Sequence, residues 1–227
     1  MTLRAIVFDF DGVIANSEPL HFRAFREILA QHGIAFAEAD YYRRFLGYDD
    51  VGVFRAVATD HRVAWTIEDI ARLATEKAAR LEVLEGDISL LFPGAEAAIR
   101  RAAAKVPLAI ASGALGVEIR RVLDRANLTG SFHAIVAAED IPVSKPAPDP
   151  YVRALALLSE RIGKALPPAS CVAIEDSQWG LTSAKAAGMR TVAVTHTYDS
   201  AALGDADLII SSLDGLDLAL LDSLCPE

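Results

Sequence analysis

Apolar runs of strand length recur along the chain, at 3–8, 106–111, 134–138, 171–174, 191–195 and 207–210. They lack the alternation of apolar and polar residues that marks a half-exposed strand, so they predict strands of a sheet covered on both faces. Between most of them, 95–105, 115–126, 150–162 and 178–187 carry apolar residues at i, i+3, i+4 spacing and predict helices. Asp149 before Pro150 reads as a helix N-cap followed by a first-turn proline. Gly188, after the last periodic residue of its helix, reads as a left-handed C-terminal cap. This alternation predicts an α/β fold with a doubly wound parallel (Rossmann-like) sheet.

One stretch breaks the rhythm. From 16 to 90 the patterns are helical throughout, at 21–32, 37–45, 51–58 and 67–84. An ordinary crossover between parallel strands needs roughly a dozen residues. The excess predicts an all-helical cap domain, 16–90, inserted into a core of 1–15 and 91–227. The chain then crosses between the two near 15–18 and 85–93.

Composition narrows the function classes. Of 227 residues, 52% are hydrophobic, enough for a packed core and too many for a disordered chain. Asp and Glu number 31 against 22 Lys and Arg, a formal charge of −9. No basic footprint for nucleic acid or an anionic membrane remains. An anionic ligand must therefore be met by local cations or a metal. Cys171 and Cys225 are too few for a disulfide framework, and Cys171 lies in an apolar run. The absence of a long apolar stretch argues against a membrane span, and the N-terminus reads as neither signal nor transit peptide. A cytoplasmic setting is the expectation.

Ligands of open parallel sheets bind beyond the carboxyl ends of the strands. The first strand ends in Asp9-Phe10-Asp11-Gly12-Val13 and the second in Ser112-Gly113-Ala114. The loop after the third carries Ser144-Lys145-Pro146, and the fourth ends in Glu175-Asp176-Ser177. On an extended chain Asp9 and Asp11 point the same way. Carboxylates that close repel unless a proton or cation intervenes, and a hard cation such as Mg²⁺ would resolve the repulsion. Asp176 completes such a site, and Glu175 orients a metal-bound water. Taken alone, Asp-x-Asp-Gly is more often a solvated acidic turn. Ser112 either offers an anion the N-terminus of the helix starting near Leu115 or merely caps that helix. Lys145, in a loop stiffened by Pro142, Pro146, Pro148 and Pro150, is either aimed at a phosphate or solvated on a rigid connector.

Together and in order, Asp9-Phe10-Asp11-Gly12-Val13, Ala111-Ser112-Gly113, Ser144-Lys145-Pro146 and Ile174-Glu175-Asp176-Ser177 resemble the four motifs of the haloacid dehalogenase superfamily. Asn16-Ser17-Glu18-Pro19-Leu20-His21 and Ala186-Ala187-Gly188-Met189 extend the likeness. The inserted helices are similar to the cap of its β-phosphoglucomutase and sugar-phosphate phosphatase branch. The resemblance implies that Asp9 is a nucleophile forming an aspartyl-phosphate and that Asp11 is the general acid and base. It implies that Asp9, the backbone carbonyl of Asp11 and Asp176 hold Mg²⁺, with Glu175 outside them. Ser112, Lys145 and the amides of Gly113 and Ala114 would then bind the phosphoryl oxygens, and the cap would close to exclude water. In the cap, His21, Arg43, Arg44, Tyr48 and Lys77 are the candidates for substrate selection.

The expected activity is Mg²⁺-dependent hydrolysis of a small phosphorylated metabolite, a sugar phosphate. A phosphomutase of the β-phosphoglucomutase kind is the alternative. The mutases carry a cap arginine three residues after a glycine. Gly47 matches that glycine, and Asp50 then stands at the arginine position. A metal-independent dehalogenase, which lacks the second Asp, and a non-catalytic phosphate-binding protein are more distant readings.

Overall fold

The computed structural model describes residues 2–46, 48–86 and 88–226. The chain divides into two compact units, Met1–Asn16 with Ser89–Glu227, and Ser17–Ile88. In chain order, β1 (Ala5–Phe8) is followed by α1 (Glu18–Gln31), α2 (Glu38–Asp40), α3 (Asp50–His61) and α4 (Ile67–Glu85). The first unit then resumes with α5 (Ala95–Ala103), β2 (Leu108–Ala111), α6 (Gly116–Arg125), β3 (Ala134–Val136), α7 (Asp149–Ile162), β4 (Cys171–Glu175) and α8 (Gln178–Ala186). It ends in β5 (Arg190–Val194), β6 (Leu208–Ile210) and α9 (Leu218–Leu224).

The sheet is wholly parallel in the order β3-β2-β1-β4-β5-β6. This is the doubly wound, Rossmann-like order, whose direction of winding reverses between β1 and β4. Continuous apolar runs produce it because both faces are covered. Every residue of β1, β2 and β4 is buried, and only the edge strand β6 is half-buried along its length. Ala5, Val7, Ala109, Ala111 and Ala173 pack beneath Tyr151, Ala154, Leu155 and Leu158 of α7. Phe8, one residue along β1, meets Phe132 edge-on at 6.2 Å. The register Phe8↔Ile174 sets the ends of β1 and β4 side by side.

Local boundaries differ from the sequence pattern in instructive ways. Asp149 is the first residue of α7 rather than its cap, and Pro148 occupies the cap position. The expected helix over 37–45 is α2 continued by a π-helical turn, Tyr41–Phe45, whose wider coil accommodates a bulky run with Tyr41 and Phe45 both buried. Gly188 does take the left-handed conformation, at φ 81°, and the N–H of Met189 reaches back to the Ala184 carbonyl at 3.1 Å. Cys171 is fully buried, and burial pushes its thiol up to about 12. Among the described residues no helix is long and apolar enough to cross a membrane.

The segments on either side of the helical insertion pair with each other inside the first unit. Asn16 N–H donates to the Leu90 carbonyl at 2.7 Å, Phe92 N–H donates to the Ile14 carbonyl at 3.0 Å, and Ala15 and Leu91 form an antiparallel bridge.

The helical unit has its own aromatic core. Phe22, Phe25, Phe36, Tyr41, Phe45 and Phe54 cluster with Leu73 of α4. Phe54 is fully buried, 5.3 Å from the Phe25 ring and 6.4 Å from Trp65. The start of α4 is fixed by a reciprocal cap: Thr66 Oγ1 accepts the Asp69 N–H, and Asp69 accepts the Thr66 N–H. Truncating a buried aromatic leaves a cavity its rigid neighbours cannot fill. Phe54→Ala is therefore expected to cost the helical unit about 3–5 kcal/mol. Urea unfolding followed by Trp65 fluorescence, in a Trp179→Phe background, measures it.

Candidate active site

The chain beyond β1 does not stay extended, as the Asp9–Asp11 spacing had suggested. The Phe10 carbonyl accepts the N–H groups of Ile14 and Ala15, at 2.8 and 2.9 Å, and the loop turns through Gly12 at φ 77°. Gly12 is required for a second reason: a Cβ there would lie 1.9 Å from Asp176 Oδ2. This tight loop brings Asp9 against the end of β4. Asp9 N–H donates to the Ile174 carbonyl at 2.9 Å. Asp9, Glu175 and Asp176, all buried, present oxygens within 4.8 Å of one another. The Asp11 side chain is outside that group and half-buried, although its charge still acts on Asp9.

Lys145 ties two of the three carboxylates together. Its Nζ donates to Asp9 Oδ1 at 2.7 Å and to Glu175 Oε1 at 2.6 Å. The loop that carries it is tied to α8 by Ser183 Oγ, which donates to the Ala147 carbonyl at 2.5 Å. Glu175 is fully buried and saturated with donors. Tyr151 OH shares Oε1 at 2.6 Å, while Asp176 N–H and Ser177 Oγ reach Oε2 at 3.2 and 3.3 Å. Its carboxylate fits against α8 only because residue 180 is glycine, since a Cβ there would lie 1.9 Å from Glu175 Cδ.

Burial is the leading influence on the charges. It raises Asp9 to about 7, against the pull of Lys145 and with Glu175 and Asp11 adding to the rise. Asp176 is raised well above the usual carboxylate range, by burial first and then by Asp9 and Glu175, against a hydrogen bond from Thr197. Burial alone would lower Lys145, but Asp9 and Glu175 outweigh it and the ammonium is held more firmly than usual. One lysine thus faces three buried carboxylates. The imbalance, with a donor set made only of oxygens, fits a hard divalent cation.

At the second strand end one of the two readings of Ser112 falls away. Ser112 does not cap α6, which starts four residues later at Gly116. Its Oγ accepts the Ala114 N–H at 3.1 Å, and its own N–H bonds the Val136 carbonyl at 3.0 Å. Gly116 N–H donates to the Glu139 carboxylate, at 3.0 Å to Oε1. That part of the helix terminus is already occupied by an anion. Ser112, Gly113 and Ala114 remain on the rim, since β2 adjoins β1.

The helical unit places its candidates differently. Lys77 is fully buried, with Nζ donating to Asp50 Oδ1 at 2.7 Å, 2.8 Å from His21 Nδ1 and 4.7 Å from the Phe25 ring centroid. Asp50 is thus compensated by Lys77 rather than presenting a bare charge, and burial still raises it. Arg43 pairs with Asp40 and Arg44 with Asp60, both exposed, and Tyr48 is exposed. Gly47 lies outside the described residues.

Sequence reasoning missed Tyr151, Gly180, His196 and Thr197. Tyr151 looked like an ordinary core position, in phase with Leu155 and Leu158. Gly180 had a signal, because glycine inside a helix is unfavourable and needs a packing reason. His196 and Thr197 follow β5, a strand end where the same rim rule applies. His196 Nδ1 lies 2.9 Å from the Gly12 carbonyl and its ring stacks on Phe92.

The chain is similar to known proteins over most of its length. The family model described as "Hydrolase: haloacid dehalogenase-like hydrolase" matches residues 3–188. Protein CbbY of Rhodobacter capsulatus is 32% identical over 206 residues, covering 87% of this chain and 88% of the relative. Hexitol phosphatase B of Escherichia coli is 33% identical over 196 residues, covering 84% and 82%. The crystal structure of CbbY from Rhodobacter sphaeroides in complex with phosphate superposes with a TM-score of 0.84 at 28% identity, over 97% of this chain and 99% of that one.

The raised carboxylates give a testable dependence on pH. In the fold Asp9 keeps its proton between about 3.8, its ordinary value, and about 7. The folded state therefore binds more protons than the unfolded chain across this window, and stability without a cation falls as pH rises through it. A divalent cation held there removes the penalty. Millimolar Mg²⁺ is expected to raise the thermal midpoint clearly at pH 8 and little at pH 5, and Asp176→Asn is expected to abolish the rise. Differential scanning fluorimetry at the two pH values tests both.

Proposed function

The chain belongs to the haloacid dehalogenase-like hydrolase family, and on that premise we propose that it is a Mg²⁺-dependent phosphatase of a small phosphorylated metabolite, a sugar phosphate, acting through an aspartyl-phosphate. The observation that carries this reading is the buried group Asp9, Glu175 and Asp176 with Lys145 bonded into it, at the point where the sheet reverses its winding. The name of the hexitol phosphatase relative supports the substrate class.

In the proposed reaction, a carboxylate oxygen of Asp9 attacks phosphorus, and the bond from phosphorus to the sugar oxygen breaks. Asp11 gives its proton to the departing oxygen. It then takes a proton from water as that water attacks phosphorus, releasing inorganic phosphate and restoring Asp9. Lys145, already against Asp9 Oδ1, neutralises the equatorial phosphoryl oxygens, with Ser112 and the amides of Gly113 and Ala114 beside it. Asp9, the Asp11 carbonyl and Asp176 would hold Mg²⁺, with Glu175 outside them, and the bound ion supplies positive charge against the phosphoryl group. Glu175 is committed to Lys145 and Tyr151, which suits a positioning part in the reaction.

Asp9→Asn is nearly isosteric and lacks the attacking anion. It is expected to lose at least about 10³-fold in turnover while keeping the parent circular dichroism spectrum. Phosphate release within tenfold of the parent, from protein free of contaminating phosphatase, contradicts the nucleophile assignment.

Hydrolysis is favoured over phosphomutase action by Asp50, at the position where the mutases carry a phosphate-binding arginine. Asp50 offers no donor fork and is already bonded to Lys77. With β-glucose 1-phosphate as the probe, the protein is expected to show no bisphosphate-dependent isomerisation. Adding glucose 1,6-bisphosphate and measuring glucose 6-phosphate beside free phosphate decides it, and isomerisation much faster than hydrolysis reverses the choice.

A further inference from the structure

Tyr151 is the largest fully buried side chain among the described residues, yet its hydroxyl is aimed at the site rather than at backbone. It lies in the first turn of α7, six residues after Lys145, with its ring fixed among Leu155, Leu158, Val7 and Ala173. The hydroxyl donates to Glu175 Oε1 at 2.6 Å, the same oxygen that accepts from Lys145 Nζ at 2.6 Å. The ring also lies under the lysine, with Nζ 5.1 Å from its centroid. Tyr151 therefore touches both partners of the ion pair that points Lys145 at Asp9.

Resting on the phosphatase reading above, we propose that Tyr151 is a positioning residue for the reaction. Its hydroxyl fixes the Glu175 carboxylate, and Glu175 fixes the Lys145 ammonium where charge grows on the transferring phosphoryl group. The physical case is one of geometry. A carboxylate oxygen shared by two donors has its torsion set by both. With the hydroxyl gone, Oε1 keeps its bond to Lys145 alone of the two, and the carboxylate, still held at Oε2 by Asp176 N–H and Ser177 Oγ, can pivot toward the ammonium. Lys145 then trades alignment on the phosphoryl group for a better bond to Glu175. The rigid core position of the ring makes Tyr151 the fixed end of this chain, because Lys145 sits on a loop and Glu175 at a strand end. Such a residue acts on the transition state more than on the bound substrate, since positioning matters most where charge is redistributed.

Tyr151→Phe keeps the ring beneath Lys145 and the packing of α7, and removes only the hydroxyl. In saturating Mg²⁺, kcat is expected to fall about tenfold with KM within about twofold of the parent. Calorimetric titration supplies a readout independent of turnover. Orthovanadate, which adopts a five-coordinate geometry like the transition state, is expected to bind Tyr151→Phe about tenfold more weakly than the parent, and inorganic phosphate within about twofold. A parent that binds orthovanadate, with a Phe variant that matches it in kcat and in both affinities, overturns the role of Tyr151 and leaves the phosphatase reading standing. A Phe variant that weakens both oxyanions equally, in proportion to a loss of folded protein, also overturns it. A parent that binds neither oxyanion and releases no phosphate overturns the phosphatase reading and this inference together.

Discussion

The structure is organised around the cost of placing three carboxylates within 4.8 Å of one another out of water. Burial and mutual repulsion both oppose ionisation there, so the site keeps its anionic form only while positive charge is supplied. Lys145 supplies part of it and binds two of the three. The remainder suits a divalent cation. Several features otherwise hard to explain serve this arrangement: the glycines at 12 and 180, which yield the space that Asp176 and Glu175 occupy; the buried serine that ties the Lys145 loop to α8; and a phenol hydroxyl spent on a carboxylate. In an acidic chain, Lys145 is the side-chain cation that the described residues place in this group.

Much of the core was legible in the sequence because its determinants are local. A parallel strand buried on both faces must be apolar along its length, and the strand ends could be read one by one for polar residues. The boundaries moved where the backbone made bonds of its own. Asp149 joined its helix instead of capping it, and the chain after Asp9 turned at once because three N–H groups converge on the Phe10 carbonyl. Of the two readings of Ser112, capping falls away because α6 begins at Gly116 and its first amide is held by Glu139. The partner of a side chain was the least legible feature. Nothing in the apolar phase of α7 says that one tyrosine hydroxyl ends on Glu175.

The helical insertion shows the same limit from another side. Its periodicity was clear, but the meaning of its polar residues was not. Lys77 looked like a candidate contact for substrate, and it is buried in an ion pair with Asp50 beside His21. A long side chain over an aromatic ring can be wholly internal while keeping its charge, and periodicity carries no record of that. Asp50 in turn looked like a source of repulsion, whereas its charge is already met within the same unit.

The pairing of 14–16 with 90–92 bears on how the chain acquires its structure. β1 is a central strand, yet its neighbours are distant: Ile6 pairs with Leu108 and Ala5 with Cys171. Contacts of such long sequence separation make a fold slow to nucleate, because the intervening loop must close before any strand pairing rewards it. The insertion is helical, and its own long-range pairing of α1 with α4, which sets Lys77 beside His21, already draws its two ends toward each other. Once its ends meet through the Asn16–Leu90 and Phe92–Ile14 hydrogen bonds, the loop between β1 and β2 is already closed for most of its length. The short antiparallel clasp then serves as a folding device: it converts the distance that the insertion adds along the chain into nearness, and hands β1 to the sheet with little further entropy to lose.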